Sequence, residues 1–253
     1  MHAKKRSIFE LYIKEGDRKS PVLNRISDKY SSHTGNPPRY VDKQFFGDLF
    51  GDKLHQGVAI DVSPLEPEYM EALPKYPTTT TSTSTSSSTS SAPVPLWVAL
   101  DEIQDPQNFG SVLRSCSFFG VSGVVIPGKR TAPLSPTVSK ASSGAMELID
   151  IFEAINLRSF IQRSKENGWC IIGTSSEGQE VDISSLQLNK PSVIIFGNEA
   201  KGISSNLLSL CDVVVKIPTS TPNPQILDSL NVGVATGIFL YELHKKRRMG
   251  GEL

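Results

Sequence analysis

Within residues 213–243 the sequence changes its hydrophobic period, and this change limits the folds that the chain can adopt. Three consecutive valines and Ile217 form a β-branched run ended by Pro218, which predicts a strand covered on both faces of a sheet. A proline-containing loop follows, and beyond it apolar residues recur at helical spacing. The stretch therefore predicts a strand, a long loop and a helix, in the order found in α/β proteins.

The start of this predicted helix is polar. Asp228 or Ser229 is the expected N-cap, and the basic residues 244–248 at the other end suit the helix dipole. Ser229 and Asn231 would then lie at an electropositive helix start, where α/β proteins commonly bind ligands. The alternative is that Asp228 and Ser229 only cap a core helix and that Asn231 has no functional role.

Strands and helices alternate through the rest of residues 95–253. Strands are predicted over residues 96–100, 123–126, 148–152, 169–174, 192–196 and 213–217. Helices are predicted over residues 108–119, 135–145 and 156–166. The alternation predicts an α/β domain with a parallel sheet and helices on both of its faces.

The first part of the chain predicts a smaller unit with a different order of elements. Residues 1–74 contain two clear strand patterns, at 8–13 and 57–62, with helical patterns between them. A Ser/Thr tract at 78–91 has no apolar residue to bury, so residues 75–94 are predicted to be a disordered linker. Because a strand begins almost at Met1, we expect an earlier element, and any transit segment, to be missing from this sequence.

Composition excludes several classes of protein. The chain has 253 residues, 38% of them hydrophobic, which is enough for a buried core, and no apolar run approaches the ~20 residues that cross a bilayer. Cys116, Cys170 and Cys211 are far apart in apolar runs, which predicts reduced core residues. The four histidines lack metal-site spacing, so no zinc site is predicted.

The overall charge gives no evidence for a polyanionic partner, because 26 basic residues balance 26 acidic ones. Any nucleic-acid binding must come from local patches. The candidates are Lys129 with Arg130, Lys140, Lys201 and the run at residues 245–248. Each of them could instead be part of an ordinary solvated face.

Two further stretches place polar residues directly after predicted strands. DEIQDPQNFGSVLR, residues 101–114, contains Asn108, Gly110 and Arg114. Its glycine permits close backbone approach, and an arginine can grip a phosphate with two parallel hydrogen bonds. The alternative is a plain loop followed by a surface arginine.

The second stretch is VIIFGNEAKG, in which Glu199 lies between Gly197 and Gly202. A glycine-rich turn of this kind is common by chance. All three polar stretches, however, follow strands of one predicted sheet, and the carboxyl ends of parallel strands meet at one edge. Together they predict a single polar site.

These motifs resemble those of the SpoU branch of the SPOUT RNA methyltransferases, and the resemblance covers nearly all of residues 95–253. Asn108, Gly110 and Arg114 match the first family motif. The second is matched by Gly197, Glu199 and Gly202, and the third by Ile217, Pro218, Ser229, Leu230 and Asn231. Residues 134–148 resemble a family helix beside the site, and residues 4–64, with the HQG turn at His55, resemble the family's small RNA-binding domain.

The resemblance implies a C-terminal trefoil knot formed around residues 218–228 and a homodimer joined near the site. It implies S-adenosylmethionine as the cofactor, with Thr174, Gly197, Ile217 and Leu230 as cofactor-binding positions. It further implies transfer of a methyl group to the ribose 2′-hydroxyl of a guanosine in mitochondrial large-subunit rRNA. The alternatives are ribose methylation of a tRNA, and a non-catalytic RNA-binding ribosome-assembly protein on the same fold.

The catalytic residues implied by the resemblance are Arg114, Asn108, Glu199, Ser229 and Asn231. The family's proposed proton acceptor is Arg114, but a guanidinium normally stays protonated, so we expect Arg114 to grip a phosphate and stabilise the developing alkoxide. Asn108 and Glu199 are expected to fix Arg114 and the ribose, while Ser229 and Asn231 orient the nucleotide. The loop between Ile217 and Ser229 is longer than in typical relatives, so we expect it to alter cofactor affinity.

Overall fold

A computed structural model describes residues 6–51, 55–76, 94–175, 181–220 and 229–249. The chain folds as two compact units, Met1–Leu65 and Glu66–Leu253. Most of the predicted linker, residues 77–93, lies outside the described residues, so its disorder stays a prediction. No helix in the described ranges combines the length and the apolar character needed to span a bilayer.

The first unit is a three-stranded sheet with two helices. Its strands are β1 (Ile8–Lys14), β2 (Arg39–Val41) and β3 (Val58–Val62), and its helices are α1 (Pro21–Thr34) and α2 (Lys43–Phe50). Strand β1 lies in the middle, parallel to β2 and antiparallel to β3. Ser20 caps α1 and proline occupies its first turn, which is a common way to begin a helix. Leu11 and Ile13 pack with Leu23 and Tyr30 to form the core.

The HQG turn has a structural explanation within this unit. The His55 ring stacks on Phe46 at 4.7 Å, and its Nδ1 accepts a hydrogen bond from the Gly57 amide at 3.2 Å. Gly57 has a φ of 73°, and a Cβ there would lie 2.2 Å from Asp17 Oδ2. The backbone conformation therefore favours glycine at this position, whereas the Asp17 carboxylate is the end of a flexible side chain that can move.

The second unit contains an eight-stranded sheet. Its strands are β4 (Glu68–Tyr69), β5 (Leu96–Leu100), β6 (Gly123–Pro127), β7 (Ile151–Ala154), β8 (Cys170–Thr174), β9 (Val181–Asp182), β10 (Ser192–Phe196) and β11 (Val213–Lys216). The strand order is β4-β7-β6-β5-β10-β8-β11-β9, and neighbouring strands are parallel throughout. The predicted parallel sheet is confirmed.

Helices cover both faces of this sheet, as predicted. They are α3 (Pro106–Phe118), α4 (Pro136–Ala141), α5 (Leu157–Glu166), α6 (Ser205–Leu208) and α7 (Val232–Met249). Ile195 packs in a buried cluster with residues of α5 and α6, whereas the adjacent Phe196 contacts Phe239 of α7 with 5.8 Å between ring centroids. Consecutive strand residues point to opposite faces, so the two helix groups lie on opposite sides of the sheet.

Residues 66–74 were expected to belong to the N-terminal unit but pack with the larger one. Strand β4 pairs with β7, and Leu73 is fully buried in the cluster under α5. The Leu73 amide donates to Ser164 Oγ at 3.0 Å, and Trp169 Nε1 donates to the Pro74 carbonyl at 2.8 Å. A two-residue strand with exposed side chains carries almost no periodicity, so no sequence pattern indicates it.

Two other predictions concern the helix at residues 135–145 and the C-terminal knot. The helix predicted over residues 135–145 ends at Ala141, because Ser143 and Gly144 take positive φ values of 53° and 83°. A short 3-10 turn, Ala145–Glu147, follows. Residues 221–228 of the loop that would form the knot lie outside the described residues, so the trefoil knot stays a prediction.

Candidate active site

The three polar stretches meet at the carboxyl edge of the large sheet. Strand β10 pairs with β5 on one side and with β8 on the other, and β8 pairs with β11. Asn108 lies in the first turn of α3, whose N-cap Asp105 accepts hydrogen bonds from two backbone amides. Glu199 follows β10, and Asn231 lies between β11 and α7.

Side chains from all three stretches form one chain of hydrogen bonds. Asn108 Nδ2 donates to Glu199 Oε1 at 3.0 Å, and Asn231 Nδ2 donates to Asn108 Oδ1 at 2.9 Å. Asn231 Oδ1 in turn accepts from the amides of Gly233 and Val234, at 2.9 and 3.3 Å. Residues up to 123 positions apart in sequence are thereby joined at the start of α7.

The direction of this chain is determined by its two ends. Backbone amides can only donate, so the oxygen of Asn231 must face them and its nitrogen must face Asn108. The Asn108 oxygen then accepts, which leaves its nitrogen to donate to the carboxylate of Glu199. The arrangement fixes the orientation of both amides and of one carboxylate oxygen at an exposed site.

The expected N-cap of the last helix was wrong. Helix α7 begins at Val232, and Asn231 accepts from the second and third amides of its first turn, which is the bonding of an N-cap. Asp228 lies outside the described residues, and Ser229 lies two residues before the cap. Asn231 is therefore not incidental, because it caps α7 and also links that helix to Asn108.

The turn that carries Glu199 leaves no room for a side chain at its first glycine. A Cβ on Gly197 would lie 2.1 Å from the Gly202 carbonyl carbon and 2.2 Å from the Ile203 amide nitrogen. The turn is closed by two backbone hydrogen bonds between Asn198 and Gly202, at 3.0 and 2.8 Å. Gly202 itself has a φ of 66°, in the region that favours glycine.

Asn198 was not identified from the sequence, although its side chain holds this turn together. Its Oδ1 accepts from the amides of Ala200 and Lys201, at 3.0 and 3.2 Å, and its Nδ2 donates to the Glu102 carbonyl at 2.9 Å. The turn after β10 is thus tied to the loop after β5. An asparagine after a strand was the only sequence signal, and such residues are common in turns.

Asp101 adds a second connection between the same two loops. This buried carboxylate accepts from both the amide and the hydroxyl of Ser204 through Oδ2, at 2.8 Å each. Its own amide donates to the Phe196 carbonyl at 2.8 Å and extends the strand pairing. No local sequence pattern indicates this role of Asp101, because it depends on a contact across 103 residues.

A cavity of about 750 Å³ lies beside the hydrogen-bonded chain. All four expected cofactor positions line it: Thr174, Gly197, Ile217 and Leu230. Glu199, Ser229 and Asn231 also line it, with apolar surface from Phe196 and Phe239. Thr174 Oγ1 donates to the Ile195 carbonyl at 2.9 Å, which fixes this side chain at the end of β8.

Arg114 is not part of the hydrogen-bonded chain. It is exposed on α3, two helical turns beyond Asn108, and within the described ranges it makes no hydrogen bond or salt bridge. The expected contact of Arg114 with Asn108 and Glu199 is therefore not seen. Gly110 allows helix packing instead of ligand approach, because a Cβ there would lie 2.4 Å from the Ala141 Cβ.

The cysteines are free thiols, and the described residues contain no group of His, Cys, Asp and Glu side chains that could hold a metal ion. Burial raises the pKa of the Cys211 thiol to about 11 and also raises the pKa of Cys116 and of Cys170. Thiols with raised pKa values stay protonated near neutral pH and are poor nucleophiles. The polar side chains that the structure brings together at this site are the amides of Asn108 and Asn231 and the carboxylate of Glu199, with the hydroxyls of Thr174 and Ser229 at the cavity.

Comparison with known proteins adds independent information. Residues 95–241 match the family described as SpoU rRNA Methylase. The chain is 35% identical, over 94% of its length, to rRNA methyltransferase 1, mitochondrial, of Dictyostelium discoideum and covers 47% of that protein. It is 33% identical, over 98% of its length, to rRNA methyltransferase 1, mitochondrial, of Homo sapiens and covers 70% of it.

A solved structure shares the fold. The AdoMet-bound rRNA methyltransferase of Sinorhizobium meliloti superimposes with a TM-score of 0.72 at 23% identity, over 95% of this chain and 80% of that one. The likeness extends across residues of both compact units of the chain.

Proposed function

Since the chain belongs to the SpoU rRNA Methylase family, we propose that it transfers a methyl group from S-adenosylmethionine to a ribose 2′-hydroxyl of large-subunit rRNA. The observation that carries the proposal is the hydrogen-bonded chain of Glu199, Asn108 and Asn231 beside the cavity at the carboxyl edge. We further propose that the rRNA is mitochondrial and the nucleoside a guanosine. The 33–35% identity to two relatives that are named mitochondrial supports the first of these proposals, and the guanosine rests on the motif resemblance alone.

The cavity fits S-adenosylmethionine in size and in chemistry. About 750 Å³ is within the range of small-molecule sites. The turn at Gly197 presents backbone without a side chain, while Ile217 and Leu230 offer apolar contacts and Thr174 lies at the end of β8. When bound, the cofactor supplies an activated methyl group. Residues of this chain must then position the acceptor sugar and stabilise the charge that develops on its oxygen.

The hydrogen-bonded side chains of Glu199, Asn108 and Asn231 are suited to positioning the acceptor nucleotide. The side-chain amides of Asn108 and Asn231 each use one N–H in this series of hydrogen bonds. The second N–H of each amide has no partner among the described residues. These donors, together with the hydroxyl of Ser229 at the cavity, lie at the start of α7, where the helix dipole favours partial negative charge. Ribose and phosphate oxygens of a nucleotide are therefore suited to this position.

Arg114 supplies the positive charge in this proposal. Its exposed guanidinium binds a phosphate and stabilises the alkoxide that forms as the ribose hydroxyl releases its proton to solvent. Because Arg114 is not held by Asn108 or Glu199, its position is set by the bound RNA.

The competing function is a non-catalytic RNA-binding protein on the same fold. Titration calorimetry with S-adenosylmethionine separates the two, because only the enzyme must bind the cofactor. Ribose methylation is then mapped on mitochondrial large-subunit rRNA and on tRNA from cells with and without the protein. We expect the protein to bind S-adenosylmethionine, and we expect one rRNA ribose methylation to be missing in cells without the protein. Binding with loss of a tRNA methylation would favour the tRNA alternative, and the absence of binding would favour the non-catalytic one.

We also propose that the protein is a homodimer joined through α3 and α7. These helices pack against each other, since a Cβ on Gly233 would lie 2.7 Å from Ser111 Oγ. They leave a strip of exposed apolar side chains: Phe118, Val234 and Tyr241. Val234 and Tyr241 are seven residues apart and share one face of α7. Large exposed apolar side chains on two packed helices are candidates for an interface.

The dimer predicts a selective effect of charge on this strip. Phe118→Glu is expected to convert a dimer into a monomer in light scattering at micromolar concentration. The phenyl ring is 82% exposed, and a carboxylate in its place would have to lose its hydration on association. Ile155→Glu is the matched control, since Ile155 is 76% exposed but lies at the end of β7. A wild-type mass of one chain would contradict the proposal.

A further inference from the structure

Two residues with uncommon backbone conformations are partners in one salt bridge. Only three non-glycine residues in the described parts of the chain have positive φ, and two of them are Glu102 (62°) and Arg130 (64°). Arg130 Nη1 contacts Glu102 Oε1 at 3.0 Å. Such conformations cost free energy and persist where surrounding contacts enforce them, commonly at functional sites.

The pair is connected to the candidate active site. The backbone carbonyl of Glu102 accepts the hydrogen bond from Asn198, the residue that shapes the Glu199 turn. Arg130 extends from the loop after β6, and its side chain is 72% exposed despite the salt bridge. Glu102 therefore fixes one edge of a guanidinium whose remaining donors face solvent.

Two lysines flank this pair at the same edge of the sheet. Lys129 precedes Arg130, and Lys201 lies in the Glu199 turn and lines the cavity. Both side chains are exposed, and in the described ranges neither makes a hydrogen bond or a salt bridge. Strands β6, β5 and β10 are consecutive in the sheet, so about 10 Å separates the outer two where the loops begin. That distance is comparable to one or two phosphate spacings of a single strand.

The other large basic candidate is the run at residues 245–248, and three of its side chains, Lys245, Lys246 and Arg247, make contacts within the protein. Arg247 donates to the carbonyls of Val94 and Gly120, at 2.8 and 3.1 Å, and these residues precede β5 and β6. Lys246 Nζ donates to the Ser184 carbonyl at 2.6 Å. Helix α7 therefore runs from the carboxyl edge at Asn231 to the amino edge, and its basic end secures that edge.

We infer that Lys129, Arg130 and Lys201 form a rim that binds phosphates of the RNA on either side of the methylated nucleotide. The inference rests on the proposed function and assigns RNA contacts beyond the family motifs. Glu102 neutralises Arg130, so the net positive charge of the rim comes from the two lysines, while Arg130 supplies oriented donors. The rim has no base-reading role, because lysine and arginine contacts to phosphates carry no sequence information.

The test measures the salt dependence of RNA binding. Each of Lys129→Gln, Arg130→Gln and Lys201→Gln is compared with wild type in filter binding to mitochondrial large-subunit rRNA transcribed in vitro, at several KCl concentrations. Removing one phosphate contact is expected to reduce the slope of log K against log[KCl] by about 0.7. Lys190→Gln is the control, because it makes the same charge change at an exposed position just before β10, at the amino edge.

The outcomes separate this inference from the proposed function. Reduced slopes in the rim variants, with an unchanged slope for Lys190→Gln, support the rim. Slopes equal to the wild-type slope in all four variants overturn it, even if the wild-type protein methylates the rRNA normally. A higher dissociation constant for S-adenosylmethionine in Lys201→Gln, without a change in slope, would assign that lysine to the cofactor instead. If the wild-type protein neither bound nor methylated the rRNA, the proposed function would be contradicted.

Discussion

Replacing Asn108 with aspartate is expected to reduce kcat about 100-fold or more. The substitution preserves shape but exchanges the amide that donates to Glu199 for a carboxylate, so two like charges would face each other at about the present 3.0 Å. The contact to Asn231 can persist, because an aspartate oxygen also accepts from Nδ2. The measurement is single-turnover transfer of a labelled methyl group to rRNA.

This prediction distinguishes hydrogen-bond direction from packing. Because the site is exposed, we expect Asn108→Asp to change the free energy of unfolding by less than about 1 kcal/mol, so lost activity would not reflect unfolding. Asn206→Asp, on the exposed surface of α6, makes the same chemical change away from the site and should retain full activity. Near-normal turnover by Asn108→Asp would remove the hydrogen-bonded chain from the mechanism.

Gly197→Ala is expected to raise the dissociation constant for S-adenosylmethionine at least tenfold and to lower the free energy of unfolding by about 2–4 kcal/mol. The added methyl group would overlap backbone atoms of Gly202 and Ile203, which are not flexible side-chain ends. The Glu199 turn must therefore shift or open. Calorimetry measures the affinity, and urea titration measures the stability.

Gly237→Ala provides the matched comparison in the same unit. Gly237 is inside α7, and its added Cβ would be in ordinary contact with Ser115 Oγ at 3.9 Å. Alanine in a helix interior is more favourable than glycine by up to about 1 kcal/mol, so this variant should be as stable as wild type or more stable. If Gly197→Ala matched Gly237→Ala in both measurements, the tight turn would have no role in cofactor binding.

Much of the fold could be predicted because its signals are local. The β-branched runs at β10 and β11 record burial on both faces, and the alternation of strand and helix patterns predicts a parallel sheet. Caps such as Asn156, whose Oδ1 accepts from the Ser159 amide at 3.0 Å, were also correctly predicted. The strands β4 and β9 were missed, because two residues are too few to show a period.

The candidate site was only partly predictable, because its geometry depends on long-range contacts. The order of motifs along the chain correctly placed Asn108, Glu199 and Asn231 at one edge. It did not indicate that Arg114 would lie outside their hydrogen-bonded chain. Nor did it identify Asn198 or Asp101, whose partners are 96 and 103 residues away.

By itself the sequence determined the periods of the strands and helices, the parallel arrangement of the sheet and the positions of the three polar stretches, because these follow from the order of neighbouring residues. Only the tertiary structure decided which residue caps α7, and why glycine is needed at positions 110 and 197. It also decided which basic residues lie beside the cavity and which secure the opposite edge. Those outcomes depend on distances between segments remote in sequence, which no local pattern records.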